Sequence, residues 1–367
     1  MEVFCGTAEL AEEERLNSLR FLWMKKCNSF EAFRSVLKRR NEMAKKIAVG
    51  VDLGGTNIRM VLGDEKGRIL SRMNVRTESR KGPEGLIQQL VRIIRSIMSN
   101  LGSDEDVLGV GVASAGTLDA ERKTIKIFAN LPFNNIPIVE PLEEELKMPV
   151  HLLNDCSAAA IGEKMFGAGR NVENLVYITI STGIGGGVYV DGHLLFGKDG
   201  NAHEIGHMTI DMAGRLLCGC GKRGHWEAYC SGKNIPNYAR LLLQEKSSEE
   251  IERSLLVKFS KDNFQSMTAK DLYDAAKSGD ALSKEIVDKI GEANALGFAN
   301  VINLYDPEII TVGGTVALKN EDLVINPIQK YVENYAVNRV PDIKITPLGG
   351  DVVLYGALAM VFHENNL

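Results

Sequence analysis

The sequence has no apolar run approaching the ~18 residues of a membrane span, so no transmembrane helix is expected. It has no excess of basic charge either. Its 43 Lys and Arg stand against 48 Asp and Glu, a net charge of -5, and a nucleic acid partner would need a basic surface. Cysteine is scarce: Cys5, Cys27, Cys156, Cys218, Cys220 and Cys230 are too few and too scattered for a disulfide scaffold in 367 residues. The first residues carry ELAEEER where a signal peptide needs a positive start and an apolar stretch. Export is therefore not expected, and a reducing cytoplasm is the compartment inferred. There is no short tandem repeat and no low-complexity segment.

What is present is the balance of a soluble globular chain, 44% hydrophobic and 25% charged, with length enough for two domains. Residues 1–45 stand apart as an extension. Phe30, Phe33, Val36 and Leu37 recur at helical spacing there, which reads as a surface helix or an upstream start before Met43, with a regulatory arm as the alternative. From residue 46 the pattern is of strands and glycine turns: KIAVGVDLGG, then NIRMVLGDEKGRILSRMNV around a turn at Glu65–Gly67. A helical pattern over 84–99, the strands VLGVGVASAG and PVHLLND, and a helix from about Ser157 follow. NLVYITISTGIGGGVYVDGHLLF then restarts the logic, ahead of a mainly helical stretch over about 231–303 and the strands PEIITVGG and DIKITPLG. Two halves that each open with a strand–glycine turn–strand hairpin predict a duplicated α/β architecture with a cleft between lobes.

Three glycine loops suit phosphate. In DLGGTNIR, Gly54 and Gly55 allow a backbone tight enough for N–H groups to face an anion, with Thr56 and Asn57 beside them and Asp52 placed to hold a magnesium ion through water. STGIGGG repeats the design with Thr182, Gly183, Gly185 and Gly186, and VGGT ends a later strand with Gly313 and Gly314. No loop has the Gly-Lys-Ser/Thr ending of a Walker A motif or the dinucleotide fingerprint. One such loop is an ordinary turn; three together predict nucleotide binding, and a β-branched residue at Gly183 is expected to disturb it.

In LLNDCSAAAIGE, Asn154 and Asp155 follow a strand. Alone, Asp155 reads as a helix cap; beside phosphate loops it becomes a candidate base for a substrate hydroxyl. HEIGHM spaces His203 and His207 as zinc proteases do, but Gly206 interrupts the helix that chemistry requires. Glu204 is read as a substrate contact, and His207 as a contact or a metal ligand. Cys218, Cys220 and His225 in CGCGKRGHWE complete with His207 a nitrogen and sulfur set that suits zinc, against the alternative of a metal-free loop. No C-x-x-C redox pair is present.

Taken together, these motifs resemble those of the ROK (repressor, open reading frame, kinase) family of glucokinase- and hexokinase-like sugar kinases over roughly residues 46–362, with GVASAGTLD and NLPF among them in the family's order. The resemblance implies the two-lobed actin-like ATPase (ribonuclease H-like) fold. Its smaller lobe would span 46–153, completed by a helix over 354–367, and its larger lobe 154–353, with a zinc-binding insert over 203–230. It implies an ATP-dependent kinase acting on the 6-hydroxyl of a hexose, glucose first, with Mg2+ and structural Zn2+. N-acetylmannosamine, mannose or allose are the alternative sugars, and polyphosphate is an alternative donor.

Carried over by motif, Asp155 is the base, and Asn130, Asn154, Glu204, His207 and Glu227 hold the other sugar hydroxyls. The turns at 54–56 and 182–186 grip phosphates, and Gly313–Gly314 lie against adenosine. The family also contains sugar-responsive repressors, but 45 residues with one helical pattern are too few for their winged-helix domain. His225 stands where the family usually has a cysteine. A homo-oligomer, dimer or tetramer, is expected, with no nucleic acid or membrane partner.

Overall fold

β-branched runs that end in glycine fold here as hairpins. The computed structural model describes residues 45–99, 101–102, 105–119, 123–128 and 131–363, so the expectations for residues 1–44, Asn130 and 364–367 lie outside the described residues. Residues 47–100 and 107–367 form one compact unit, which holds both sheets described below except the first two residues of β1 and of β4.

The first sheet is built from β1 (Lys45–Leu53), β2 (Asn57–Asp64) and β3 (Ile69–Arg76) as consecutive antiparallel strands, continued by β4 (Glu105–Ser114) and β8 (Val150–Asn154). Between the last two lie the short strands β5 (Thr117–Asp119), β6 (Thr124–Ile127) and β7 (Ile136–Pro137), a three-stranded sheet of their own. The second sheet takes β9 (Leu175–Ile180), β10 (Ile184–Val190), β11 (His193–Leu194), β12 (Ile309–Gly313) and β13 (Asp342–Ile345). Strand order is β3-β2-β1-β4-β8 in one and β11-β10-β9-β12-β13 in the other. That shared order, hairpins first and then parallel strands, is the duplication the sequence predicts.

Helices α1 (Gly82–Met98) and α2 (Val139–Leu146) belong to the first half. In α1, Leu86, Leu90, Ile93, Ile94 and Ile97 are buried at helical spacing, so the amphipathic pattern seats it against the protein. Helix α3 (Asp155–Met165) follows β8 without a loop. The second half carries α4 (Glu227–Cys230), α5 (Ile235–Leu243), α6 (Ser248–Glu252), α7 (Ala269–Lys277), α8 (Ala281–Tyr305), α9 (Thr315–Lys319), α10 (Glu321–Tyr331) and finally α11 (Val352–Phe362). Trp226 and Phe298 pack edge to face at 5.5 Å inside the large core over the second sheet, and the indole N–H donates to Asn294 Oδ1 at 2.9 Å.

Although last in the chain, α11 lies on the first sheet. Gly50 and Gly63 leave room for Leu358, and a Cβ on Gly111 would sit 1.9 Å from the Ala357 carbonyl oxygen. Helix α11 also crosses α3 in backbone contact: a Cβ on Gly356 would sit 1.7 Å from the Ala158 carbonyl. Among the described residues no helix is long and apolar enough to cross a membrane.

Candidate active site

The end of β8 delivers the first chemical group. Asn154 keeps an extended backbone, and its Oδ1 accepts the N–H groups of Cys156 at 2.8 Å and Ser157 at 3.4 Å. Asn154 is therefore the cap, and α3 starts two residues before the position the sequence pattern indicates. Its Nδ2 donates to the Gly116 carbonyl at 3.3 Å. Relieved of capping, Asp155 stands at the first helical position, where Oδ1 accepts the Cys156 N–H at 2.9 Å. Burial, and then the negative charge of Asp52, raise its carboxyl to about 6.

Asp52 is the penultimate residue of β1, and the β1–β2 turn after it is closed by the Gly54 N–H on the Asn57 carbonyl at 3.1 Å. A Cβ on Gly54 would crowd that same oxygen at 2.8 Å. Thr77 braces the turn from β3's side: its hydroxyl donates to Gly54 at 2.7 Å and its N–H to Thr56 at 2.9 Å. Asp52 is also raised, chiefly by burial, but Arg59 opposes the shift by donating to Oδ2 from Nε at 2.8 Å and Nη2 at 2.5 Å. Sequence reasoning missed Arg59. Its signal was available, because a tight hairpin after Leu53 sets residue 59 directly opposite residue 52.

The β9–β10 turn is tied to the segment after α4, with the Gly232 N–H on Ser181 at 2.7 Å and the Lys233 N–H on Thr182 at 3.2 Å. Glu227 reaches it from α4: its Oε2 accepts the Ile184 N–H at 3.0 Å, and a Cβ on Gly183 would meet that oxygen at 2.6 Å. Gly185 and Gly186 lie beyond the turn, inside β10, opposite Thr179 and Ile178. Their missing side chains make room for Cys156 Sγ and Ile205, at 2.7 and 2.5 Å from the Cβ positions. Packing accounts for glycine at both. The third loop stacks on the second: Gly314 has φ +87°, its Cβ position lies 2.5 Å from the Ile180 carbonyl, and the Thr315 N–H points to Ser181 Oγ at 3.4 Å.

Gly183→Val therefore acts first on Glu227 and not on a phosphate. With Glu227 the sugar contact that the family motif implies, we expect the sugar KM to rise more than the nucleotide KM, read from steady-state kinetics of the purified variant. A rise confined to nucleotide would place the glycine's role back in the phosphate loop.

His207 closes a 3-10 turn, Ile205–His207, rather than lying on a longer helix, because Gly206 passes against β10 with its Cβ position 2.1 Å from the Ile184 carbonyl. The following loop folds back through bridges between Thr209 and His225 and between Leu217 and Arg223. It brings together His207, Cys218, Cys220 and His225, whose donor atoms all lie within 4.8 Å of one another. Cys218 Sγ is 3.7 Å from His207 Nδ1, and Cys220 Sγ is 3.3 Å from His225 Nδ1. A tetrahedral zinc with N and S ligands has ligand–ligand edges of roughly 3.3–3.8 Å, so the donor set has the right chemistry and size. Each of two cluster members also leads outward: His207 Nε2 lies 3.5 Å from Glu204 Oε2, and Cys218 Sγ 3.5 Å from Glu227 Oε1.

The polar groups thus fall into two sets: Asp52 with Asp155, and a chain of contacts from Glu204 through His207 and Cys218 to Glu227 and the second glycine turn, with Cys156 feeling the charge of both Asp155 and Glu204. The sequence profile of the ROK family matches residues 48–364. A glucokinase of Pyrobaculum calidifontis is 36% identical over 320 residues, covering 87% of this chain and 96% of that protein. A glucokinase of Halalkalibacterium halodurans is 33% identical over 328 residues, covering 88% and 97%. The crystal structure of a ROK family glucokinase from Streptomyces griseus, in complex with glucose and AMPPNP, superposes with a TM-score of 0.68 at 31% identity, covering 86% of this chain and 98% of that one.

Proposed function

Because the chain belongs to the ROK family and its two lobes have the actin-like ATPase fold, we propose that it is an ATP-dependent hexokinase that phosphorylates the 6-hydroxyl of a hexose, with glucose preferred. The observation that carries this reading is Asp155: a buried carboxyl raised to about 6, at a helix start and within reach of Asp52 beside the first glycine turn. A base works best when its pKa lies near the working pH, because it is then both ionised and able to hold a proton. Asp155 accepts the proton of the 6-hydroxyl as that oxygen attacks the γ-phosphorus and the bond to the β-phosphate oxygen breaks. Phosphoryl transfer asks little else of the protein beyond position and charge.

Asn154, Glu204, His207 and Glu227 hold the remaining hydroxyls, and Asn130, outside the described residues, joins them by motif. The backbone at Gly54, Gly55, Thr56, Asn57, Thr182 and Gly183 takes the phosphates, and Gly313 and Gly314 face adenosine. Asp52 offers the hard oxygen that magnesium prefers, and the ion supplies charge neutralisation on the phosphates. His207, Cys218, Cys220 and His225 hold zinc away from the reacting atoms.

A matrix of glucose, mannose, allose and N-acetylmannosamine against ATP and polyphosphate tests the reading. Glucose with ATP should give the highest kcat/KM and yield glucose 6-phosphate; turnover of none of these sugars would overturn it.

The raised carboxyl also sets a pH dependence. Asp155 must be ionised to accept a proton, so activity is held above its pKa and lost as pH falls through it. The profile of kcat/KM for glucose should bend downward near pH 6, above the ordinary aspartate range. An acid limb that bends only below about pH 4.5, within the usual carboxylate range, would assign the proton elsewhere.

A further inference from the structure

Among the cleft's charged groups, Arg59 has no part in the reaction as described above. It stands directly opposite Asp52 across the β1–β2 hairpin, and both Nε and Nη2 donate to the same carboxylate oxygen, Oδ2. Its Nη1 donates to the Gly350 carbonyl at 2.7 Å and lies 3.7 Å from Asp351. Asp351 is in turn held by Arg72 at 2.5 Å. The guanidinium is therefore gripped from two sides, which fixes its plane. Among the described residues no donor reaches the other oxygen of Asp52, Oδ1.

We propose that Arg59 is a positioning residue for phosphoryl transfer: by occupying Oδ2 it fixes the orientation of the Asp52 carboxylate and leaves Oδ1 for the magnesium ion that arrives with the triphosphate. This rests on the kinase reading and goes beyond it. The competing role for Arg59 is a strut that fastens residues 350–351 to the first sheet.

Arg59→Met removes charge and both bonds while preserving length. Outer contacts of this kind change metal affinity by roughly 10–100-fold, so we expect the Mg2+ concentration for half-maximal rate to rise by about that factor while the glucose KM stays within about twofold. Calorimetric titration with Mg·ADP, read without turnover, should show the same weakening, and titration with glucose should not. Arg59→Lys, which keeps the charge, should recover part of the loss. Asp351→Asn, which removes the carboxylate from the strut and leaves the bonds to Asp52 in place, should leave the Mg2+ dependence at the wild-type value. In an Asp52→Asn background, Arg59→Met should add nothing to the Mg·ADP affinity.

An unchanged Mg2+ requirement in Arg59→Met, or an equal loss in Asp351→Asn, overturns the proposal in favour of the strut. If Arg59→Met fails to fold, Arg59→Lys, alone and combined with Asp52→Asn, separates the same two roles. Failure of wild type to phosphorylate any hexose would count against the kinase reading itself, and the Mg·ADP titrations would still report on Arg59.

Discussion

Asp155→Asn will lower kcat by ~10²–10⁴ while leaving the glucose KM near its wild-type value. The amide keeps the size of the carboxylate and its bond from the Cys156 N–H, so the helix start and its Asn154 cap remain. What it loses is the ability to hold the departing proton, a loss felt only once the hydroxyl oxygen begins to attack. An interaction made only in the transition state shows in kcat and not in substrate binding. Stability should not fall, because burying a neutral amide costs less than burying a carboxyl that the site already pushes toward protonation. Steady-state kinetics and a thermal melt on the same preparation check both halves. A variant retaining more than about a tenth of wild-type kcat would show that another group takes the proton.

The second large effect concerns the thiolate and imidazole cluster. Purified protein should hold about one zinc per chain by elemental analysis, and His225→Ala should lose most of it. The glucose KM should then rise roughly tenfold or more, in the range found when groups that orient a metal or its ligands are removed. The route is visible in the contacts. His207 turns one ring nitrogen toward Cys218 and the other toward Glu204, and Cys218 touches Glu227. A zinc held there would draw four donors from two stretches of chain to one point, so both carboxylates would lose their backing on its removal. His225→Cys, which restores a ligand of the right reach, should keep metal and KM alike. Protein purified without chelator that contains no zinc, or His225→Ala with full zinc, would refute the assignment.

Much of this was legible in the sequence for a local reason. β-branched runs broken by glycine pairs specify hairpins over a few residues, and both sheets open on them. The cluster was legible because its four side chains fall within nineteen residues, close enough for spacing to carry meaning. What was hidden is tertiary. Gly185 and Gly186 read as parts of a phosphate loop, but their neighbours, Cys156 and Ile205, approach from outside the hairpin. The helix start was placed late because Asn154 and Asp155 are both good caps, and only the backbone shows which one caps. The strands β5, β6 and β7 run two to four residues, too short to show a period.

The placement of α11 has a consequence for how the chain must be made. Ala48 and Val61, on the first two strands, share a cluster with Leu354, Leu358 and Val361 from the last helix. A ribosome emits the helix about 300 residues after β1, which at roughly 5–20 residues per second is a delay of some 15–60 s. Throughout that interval the first sheet has strands but no helix on that face. Nascent chains should therefore be most vulnerable to protease and most dependent on chaperones until α11 emerges, even though the strands it covers are made long before it.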